Sequence, residues 1–433
     1  MRVMSSFSKA LLAIAVIAAA SGSVDAQMRG HGGPVRALAI APDGKSAISG
    51  SFDTSAIRWS LTRNAAEQVM RFHESAVNAV AFLPDGRIVT GGEDSQLAIW
   101  TAGKVQPDLV LKGHKAPVAG LAISPDGKTI ASASWDHTIR LWPVAGGEPR
   151  VLEGHSQSVN GVAFAPDGSF LASAGYDATL RIWPLSGDAP ATIRNAPAPL
   201  NSVVVAPDGE IAAGGANGHV FIYSPKGELI SDIEAAPVPV IAAAMSRDGA
   251  RIAAAGIRGS VAVIDRKARK VVHTLVGPGL PVWSVAFFPD GTTLLTGGTD
   301  RMIRRWNAAT GDHLDSVVAG APADPLAAYN GQRGAEVFRA CVACHTLSPD
   351  DGSRAGPTLS GIFGRKIASL PGYNFSPALK KLDIVWTPET VARLFEIGPM
   401  AYTPGTKMPE QKITSPDDRK ALVEFLAKAT ARN

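Results

Sequence analysis

Residues 113–142 read GHKAPVAGLAISPDGKTIASASWDHTIRLW, and this stretch carries the pattern that decides the fold of most of the chain. An alternating apolar run from Val118 to Ile123 leads into the turn Asp126-Gly127, and two more β-prone runs follow, the second ending at Trp142. Alternation with a period of two predicts strands, and Asp-Gly between two such runs predicts a hairpin. The stretch therefore predicts three consecutive strands, the first two paired around the Asp-Gly turn.

The Asp-Gly turn recurs along the chain at steps of 40 to 42 residues. The seven turns are Asp43-Gly44, Asp85-Gly86, Asp126-Gly127, Asp167-Gly168, Asp208-Gly209, Asp248-Gly249 and Asp290-Gly291. A four-stranded unit of about 40 residues cannot bury its own faces, so such units stack radially around an axis. The spacing predicts an all-β, seven-bladed propeller over residues 28–319. Because residues 313–319 can supply the outermost strand of blade seven, we expect each blade to be contiguous in sequence.

Four side chains of the third unit resemble the pattern of WD40 repeats: His114, Ser132, Asp136 and Trp142. The resemblance implies a buried hydrogen-bonded network inside each such blade. The fourth unit matches with His155, Ser173, Asp177 and Trp183, and the first two match more loosely with His31, Asp53, Trp59 and with His73, Asp94, Trp100. Histidines that occur once per blade cannot converge on one metal, so we interpret them as structural.

Length and composition limit the number of domains and the class of protein. A chain of 433 residues is too long for one core, and 45% hydrophobic with 18% charged residues excludes extensive disorder. The net charge of +4 does not favour nucleic acid as a partner.

Residues 1–26 resemble a cleaved signal peptide, with Arg2 and Lys9, an apolar run over 10–20 and a small-residue site at Val24-Asp25-Ala26. The run is too short for about 30 Å of hydrocarbon, so we expect a periplasmic protein without a transmembrane segment.

A motif that predicts a bound cofactor lies in a second domain at residues 329–433, after a proline-interrupted linker at residues 320–328. Its sequence Cys341-Val342-Ala343-Cys344-His345 holds the only two cysteines of the chain. Such spacing places two thiols on one helical turn, where they can reach the two vinyl groups of a haem, with the next imidazole at the iron. A zinc site needs a second ligand pair, which is absent, and a redox dithiol does not account for the residues that follow. The motif therefore predicts one covalently attached haem c.

Residues 328–432 resemble class I cytochromes c of the mitochondrial and bacterial c2 kind. The matching positions are Gly334, Phe338, the stretches 355–359, 361–366 and 371–373, and the loop 402–408. The resemblance implies an all-α domain in which His345 and Met408 ligate the iron and the carbonyl of Pro357 accepts a hydrogen bond from His345. It further implies that the haem is bound by Arg365 and Trp386, at its propionates, and by Thr406. A closing helix is expected from Ser415 to Lys428.

Three positions depart from the cytochrome pattern. Phe375 stands where a propionate-binding tyrosine is usual, Leu379 replaces an asparagine near the haem, and Leu394 replaces a tyrosine close to the methionine ligand. The site thereby loses polar groups. Because an apolar setting disfavours the ferric state, we predict a positive midpoint potential.

The function predicted is one-electron transfer, with no catalytic residues and with the propeller as a scaffold that docks a redox partner. An alternative is that the propeller oxidises a small substrate and passes electrons to the haem. Docking is predicted at the haem edge, through Lys366, Lys380, Lys407 and Lys412, and at the propeller face, through Phe52, Trp135, Tyr176 and Trp283. Aromatic anchors of this kind are typical of a protein interface.

Overall fold

The computed structural model describes residues 28–187, 189–277, 279–314, 326–348, 354–408 and 410–431. The signal peptide predicted at 1–26 and most of the linker predicted at 320–328 lie outside these residues. Within them, seven four-stranded antiparallel sheets are followed by a small helical domain. The prediction of a seven-bladed all-β propeller followed by a cytochrome-like helical domain is confirmed.

Each blade is one sheet, and in the first six blades sequence neighbours pair in order. Blades one to three are β2–β5 (Val35–Ile40, Ser46–Ser51, Ser55–Ser60, Ala65–Arg71), β6–β9 (Val77–Phe82, Ile88–Gly92, Gln96–Trp100, Leu109–Lys112) and β10–β13 (Val118–Ile123, Thr129–Ser134, Ile139–Pro143, Arg150–Leu152). Blades four to six are β14–β17 (Val159–Phe164, Phe170–Gly175, Thr179–Pro184, Thr192–Asn195), β18–β21 (Leu200–Val205, Ile211–Gly215, His219–Tyr223, Leu229–Glu234) and β22–β25 (Val240–Met245, Arg251–Gly256, Ser260–Asp265, Lys270–Val276). Blade seven contains β26–β28 (Val282–Phe287, Thr293–Gly298, Met302–Asn307).

The ring closes differently from the prediction. The first strand, β1 (Met28–Arg29), pairs with β28 as the outer strand of blade seven, with Met28 opposite Ile303. His313 adds only an isolated bridge to Trp306 at the other end of the blade. The expectation of seven contiguous blades is therefore wrong. The buried side chain of Met28 packs between blades seven and one, beside Val35 and Ile303, so a short N-terminal strand fastens both ends of the ring.

The core of the propeller lies between blades, because each sheet buries apolar side chains against the next. In one such layer, Ile48 of blade one packs with Val77 and Ile88 of blade two. The predicted polar networks lie within this core. In blade three, His114 bonds Asp136 (2.8 Å) and Ser132 (2.7 Å), and the Ser132 hydroxyl also accepts from Nε1 of Trp142 (2.8 Å).

The same network is present in blades one, two and four, which confirms the WD40 resemblance even where the sequence match is looser. In blade two, threonine replaces serine: Thr90 bonds His73 (2.8 Å) and accepts from Trp100 (3.1 Å). Blade one, which matches the repeat pattern loosely, has Ser49 between His31 (2.7 Å) and the Trp59 indole (2.7 Å). Each network links the second and third strands of its blade, the turn between them and the loop before the blade.

Replacing Ser132 by alanine is expected to lower the free energy of unfolding of the propeller by about 1–3 kcal/mol, the usual cost of leaving buried polar groups without partners. The fully buried Ser132 hydroxyl forms hydrogen bonds with both His114 and Trp142. Its removal therefore leaves two buried polar groups without a hydrogen-bond partner. Urea unfolding followed by tryptophan fluorescence measures the change. Ser169→Ala is the matched control, because that exposed hydroxyl bonds only the turn residue Asp167 (2.6 Å). Equal stability of the two variants would contradict the role of the network.

The C-terminal domain has five helices among its described residues: α1 (Arg333–Phe338), α2 (Pro377–Lys380), α3 (Pro388–Ile397), α4 (Pro399–Tyr402) and α5 (Pro416–Ala429). Ser415 caps α5 by accepting a hydrogen bond from the amide of Asp418 (3.2 Å). Helices α1 and α5 cross at Gly334, where a Cβ would overlap the carbonyl oxygen of Ala421. Glycine is therefore needed for the close approach that packs Phe338 on Phe425, with ring centroids 5.5 Å apart.

Candidate functional site

The helical domain encloses a mainly apolar cavity of about 450 Å³. Its walls come from α1, α3 and α5 through Phe338, Leu394, Phe395, Leu422 and Leu426, and from the loops between them. Four of the predicted haem-binding side chains converge on this space: Cys341, Cys344, His345 and Met408. The sequence places them up to 67 positions apart, and the fold brings them to one site.

Both cysteines lie on one turn, as the motif predicts. Residues Cys341–Ala343 form a 3₁₀ turn, and the carbonyl of Cys341 accepts from the amides of Cys344 (3.1 Å) and His345 (3.0 Å). Burial raises the pKa of the Cys341 thiol to about 12. Burial, reinforced by the charge of Asp53, raises the pKa of the Cys344 thiol to about 11. Neither cysteine takes part in a disulfide, so both thiols are available to attach a group.

The imidazole of His345 is fixed by its own hydrogen bond. Its Nδ1 donates to the carbonyl oxygen of Pro357 (2.7 Å), which leaves Nε2 as the ring nitrogen with a free lone pair. Burial lowers the pKa of His345, so the ring is neutral, the form in which imidazole binds a metal. Gly356 lies against the ring, and a Cβ there would be 2.5 Å from Cε1 of His345. The loop before Pro357 thus fits the imidazole closely.

Met408 reaches the cavity from the loop after α4. Its amide donates to Oγ1 of Thr406 (3.1 Å), and the amide of Thr406 donates to the carbonyl of Thr403 (3.1 Å). The buried Thr403 hydroxyl in turn donates to the carbonyl of Pro399 (2.8 Å). The Met408 side chain packs against the apolar core of the domain. Thr406 therefore supports the methionine loop from within.

Arg365 and Trp386 also line the cavity, on two segments joined by backbone hydrogen bonds. The Arg365 guanidinium donates to the carbonyl of Thr358 (2.8 Å), and the amide of Trp386 donates to the carbonyl of Arg365 (2.9 Å). Phe375, Leu379 and Leu394, the three departures from the cytochrome pattern, are also lining residues. The loss of polar groups that the sequence indicates therefore falls on the wall of the cavity.

The propeller supplies the remaining wall, which sequence reasoning missed. Arg71, at the end of β5, lines the cavity together with Asp53 and Glu74. Its Nε donates to the carbonyl of Ala355 (2.7 Å), and its guanidinium lies 3.9 Å from the ring centroid of Tyr373. Burial lowers the pKa of Arg71, while Tyr373 and Asp53 counteract this effect. Outermost strand residues carry no repeat pattern, so nothing in the sequence singles out Arg71.

Further contacts place the propeller against the cavity edge at Cys344. The amide of Ala355 donates to the carbonyl of Gly30 (3.0 Å), and the Asn374 side chain donates to the carbonyl of Arg71 (2.8 Å). Gly32 lies so close to the Sγ of Cys344 that a Cβ there would overlap it. Burial would raise the pKa of the neighbouring Asp53, but His31 and Ser55 hold it at about 2, so this carboxylate is charged.

The four lysines predicted at the haem edge do not form one free ring. Lys407 donates to the carbonyl of His73 in the propeller, so the expectation that it faces an external partner is wrong: the propeller already occupies that side. Lys366 pairs with Asp383 (2.8 Å), and Lys412 lies 3.8 Å from Glu410. Lys380 is exposed beside the cavity.

The predicted aromatic residues of the propeller face are gathered around its axis. Phe52, Trp135 and Tyr176 are exposed, at 44%, 42% and 48%. Trp283 lies deeper, with its ring 6.0 Å from that of Phe52 and its indole donating to Thr299 (2.9 Å). The propeller therefore presents three large side chains to solvent around the mouth of its channel.

Known families match both parts of the chain. The WD domain, G-beta repeat model matches residues 22–60 and 66–101, and the IFT122 first beta-propeller model matches residues 108–322. The Cytochrome c model matches residues 331–430. Cytochrome c of Cochliobolus lunatus is 39% identical over 102 residues, 23% of this chain and 94% of the relative. Cytochrome c2 of Rhodomicrobium vannielii is 35% identical over 105 residues, 24% of this chain and 83% of the relative.

Fold, cavity and matches together define a WD40-type propeller joined to a c-type cytochrome domain. Through residues 331–430, the chain belongs to the cytochrome c family. One covalently bound haem c goes with this family. The side chains present fit that group, because two thiols on one turn, a neutral imidazole and a thioether surround an otherwise apolar cavity. In the described residues no helix is long and apolar enough to cross a membrane.

Proposed function

We propose that this chain is a periplasmic one-electron carrier, with the haem held by His345 and Met408 and the propeller serving as a docking scaffold. The observation that carries the proposal is the donor set of the cavity. It contains one imidazole oriented by Pro357 and one thioether on a hydrogen-bonded loop. His345 and Met408 would both ligate the iron, and two protein ligands suit electron transfer rather than substrate chemistry at the metal.

Each residue of the site has a distinct part in this proposal. Cys341 and Cys344 attach the group, and Pro357 keeps the His345 ring in one orientation and raises its basicity. Arg365 and Trp386 would bind the propionates, and Thr406 holds the loop of Met408 in place. The haem would supply one-electron chemistry, in which the iron changes between the ferric and ferrous states. The protein contributes a mainly apolar cavity, which keeps the reorganisation that accompanies that change small.

The cavity wall supports a positive midpoint potential. Thioether ligation favours the ferrous state, and Phe375, Leu379 and Leu394 place apolar groups where related sites have polar ones. Anaerobic potentiometric titration of the full-length holoprotein tests this. We expect a positive midpoint together with the methionine–iron charge-transfer band in the ferric spectrum. A clearly negative midpoint potential, or a ferric spectrum without that band, would contradict the proposed ligation.

The docking role rests on the exposed aromatic side chains at the mouth of the channel. We expect fractions of periplasmic extract to reduce the oxidised holoprotein only when a second protein is present, and to do so more slowly with the variant Trp135→Ala/Tyr176→Ala. Val151→Ala/Ile193→Ala, which removes exposed apolar side chains on outer strands, is the control. Reduction by the isolated protein with a small molecule alone would favour the alternative, in which the propeller oxidises a substrate.

A further inference from the structure

The axial channel of the propeller is a second cavity, of about 510 Å³. In all seven blades the register of the first strand shifts at its second residue, and in each case that residue lines the channel. The seven residues are Arg36, Asn78, Ala119, Asn160, Asn201, Ile241 and Trp283. The fold thus brings one side chain per blade to a common ring, and the sequence decides its chemistry blade by blade.

Arg36 is the only side chain among the described lining residues that carries a charge at neutral pH. No acidic residue in the described part of the chain forms an ion pair with it. Its guanidinium lies 5.4 Å from the ring centroid of Trp283, a contact that compensates only part of the lost hydration. Burial accordingly lowers the pKa of Arg36. The channel therefore carries one partly buried positive charge with no acidic residue of the described chain paired to it, a setting that favours an anion beside it.

The other polar groups of the ring divide into two sets. On blades three to five a chain of hydrogen bonds uses the amides: Trp135 donates to Asn160 (3.1 Å), Asn160 to the carbonyl of Leu200 (3.0 Å), and Asn201 to the carbonyl of Val240 (2.9 Å). On blades one and two, Arg36 and Asn78 are neighbours, and among the described residues no side chain satisfies either of them. Of the seven ring side chains, Arg36 and Asn78, on blades one and two, are therefore the donors whose polar groups make no hydrogen bond within the described part of the chain.

We propose that the channel is a binding site for a monocarboxylate, held by the guanidinium of Arg36 and the amide of Asn78 with its apolar part against Trp283. The planar fork of an arginine matches the two oxygens of a carboxylate. A single cation balances one negative charge, whereas phosphate near neutral pH would leave charge uncompensated. The volume lies within the range of about 300–1,000 Å³ that is usual for small-molecule sites. The site is separate from the cavity at the cytochrome domain and does not depend on the electron-transfer proposal.

Isothermal titration calorimetry of the full-length holoprotein with benzoate tests the site, with benzamide as the neutral isostere. We expect benzoate to bind, benzamide not to bind, and inorganic phosphate to bind more weakly than benzoate. Arg36→Gln should weaken benzoate binding roughly tenfold to a hundredfold, as expected for loss of hydrogen bonds to a charged group. Arg150→Gln, which removes an exposed charge on an outer strand, should leave binding unchanged.

The carboxylate could belong to a free small acid or to the C-terminus of a peptide, and a short peptide with a free or an amidated C-terminus separates these sources. Benzoate bound more tightly than the free-acid peptide indicates a small acid, and the reverse order indicates a chain terminus. Equal binding of acid and amide forms overturns the proposal, as does the absence of benzoate binding at millimolar concentration. If Arg36→Gln fails to fold, the benzoate–benzamide comparison on the unmodified protein still decides.

Discussion

Replacing Met408 by alanine is expected to abolish the methionine–iron charge-transfer band of the holoprotein and to lower its midpoint potential by tenths of a volt. Axial ligands set haem potentials over a range of about 0.8 V, and the soft thioether is the ligand that favours ferrous iron. The Met408 side chain lines the cavity from a loop that Thr406 and Thr403 hold in place, so the loop should keep its path when the thioether is removed. The potential is measured by spectroelectrochemistry.

Two further variants make this experiment decisive. Met408→His supplies a nitrogen ligand from the same loop, so it should retain a low-spin spectrum but show a lowered potential. Met400→Ala removes a 65% exposed methionine on α4 and should change neither the band nor the potential. If the band survives in Met408→Ala, another residue is the ligand and the proposed ligation is wrong.

The sequence predicts the blades well because their determinants are local. The Asp-Gly turn between two alternating runs specifies a hairpin within about ten residues, and each His–Ser–Trp network lies within a single repeat. The haem motif is local too, because the 3₁₀ turn at Cys341–Ala343, which Cys344 follows directly, is enough to bring the two cysteines close together. Sequence reasoning can also select the distant Met408 as a candidate, because its loop carries a recognisable pattern of its own. The WD40 and cytochrome resemblances are both confirmed by the family models.

What the sequence could not predict depends on contacts between distant segments. The closing strand Met28–Arg29 is two residues long, too short to show an alternating pattern, and its partner β28 begins more than 270 positions later. Arg71 is a second case. Its role arises only when the helical domain lies against blade one, and an arginine at the end of an outer strand is ordinary on any exposed edge. The correction for Lys407 has the same origin, because its partner is the backbone carbonyl of His73.

Replacing Arg71 by alanine is expected to lower the midpoint potential by tens of millivolts, about the Coulomb interaction of roughly 1 kcal/mol between partly screened charges. A cation beside the cavity favours the less positive, ferrous state, so its removal favours ferric iron. The guanidinium also braces the carbonyl of Ala355, two residues before Pro357, which orients His345. We therefore expect the cavity edge at Cys344 to become more accessible, with faster reduction by a small reagent such as ascorbate.

The conservative and control variants separate charge from bracing. Arg71→Lys keeps the positive charge but cannot donate from a planar fork while lying over Tyr373, so it should restore most of the potential and little of the protection from ascorbate. Arg63→Ala removes a 69% exposed arginine from the same blade and should alter neither quantity. If Arg71→Ala also left both quantities unchanged, the propeller would be a neighbour of the haem site and not a part of it. A loss of potential without faster reduction would mean that Arg71 acts through its charge alone, and that Gly30, Gly32 and His73 suffice to cover the edge.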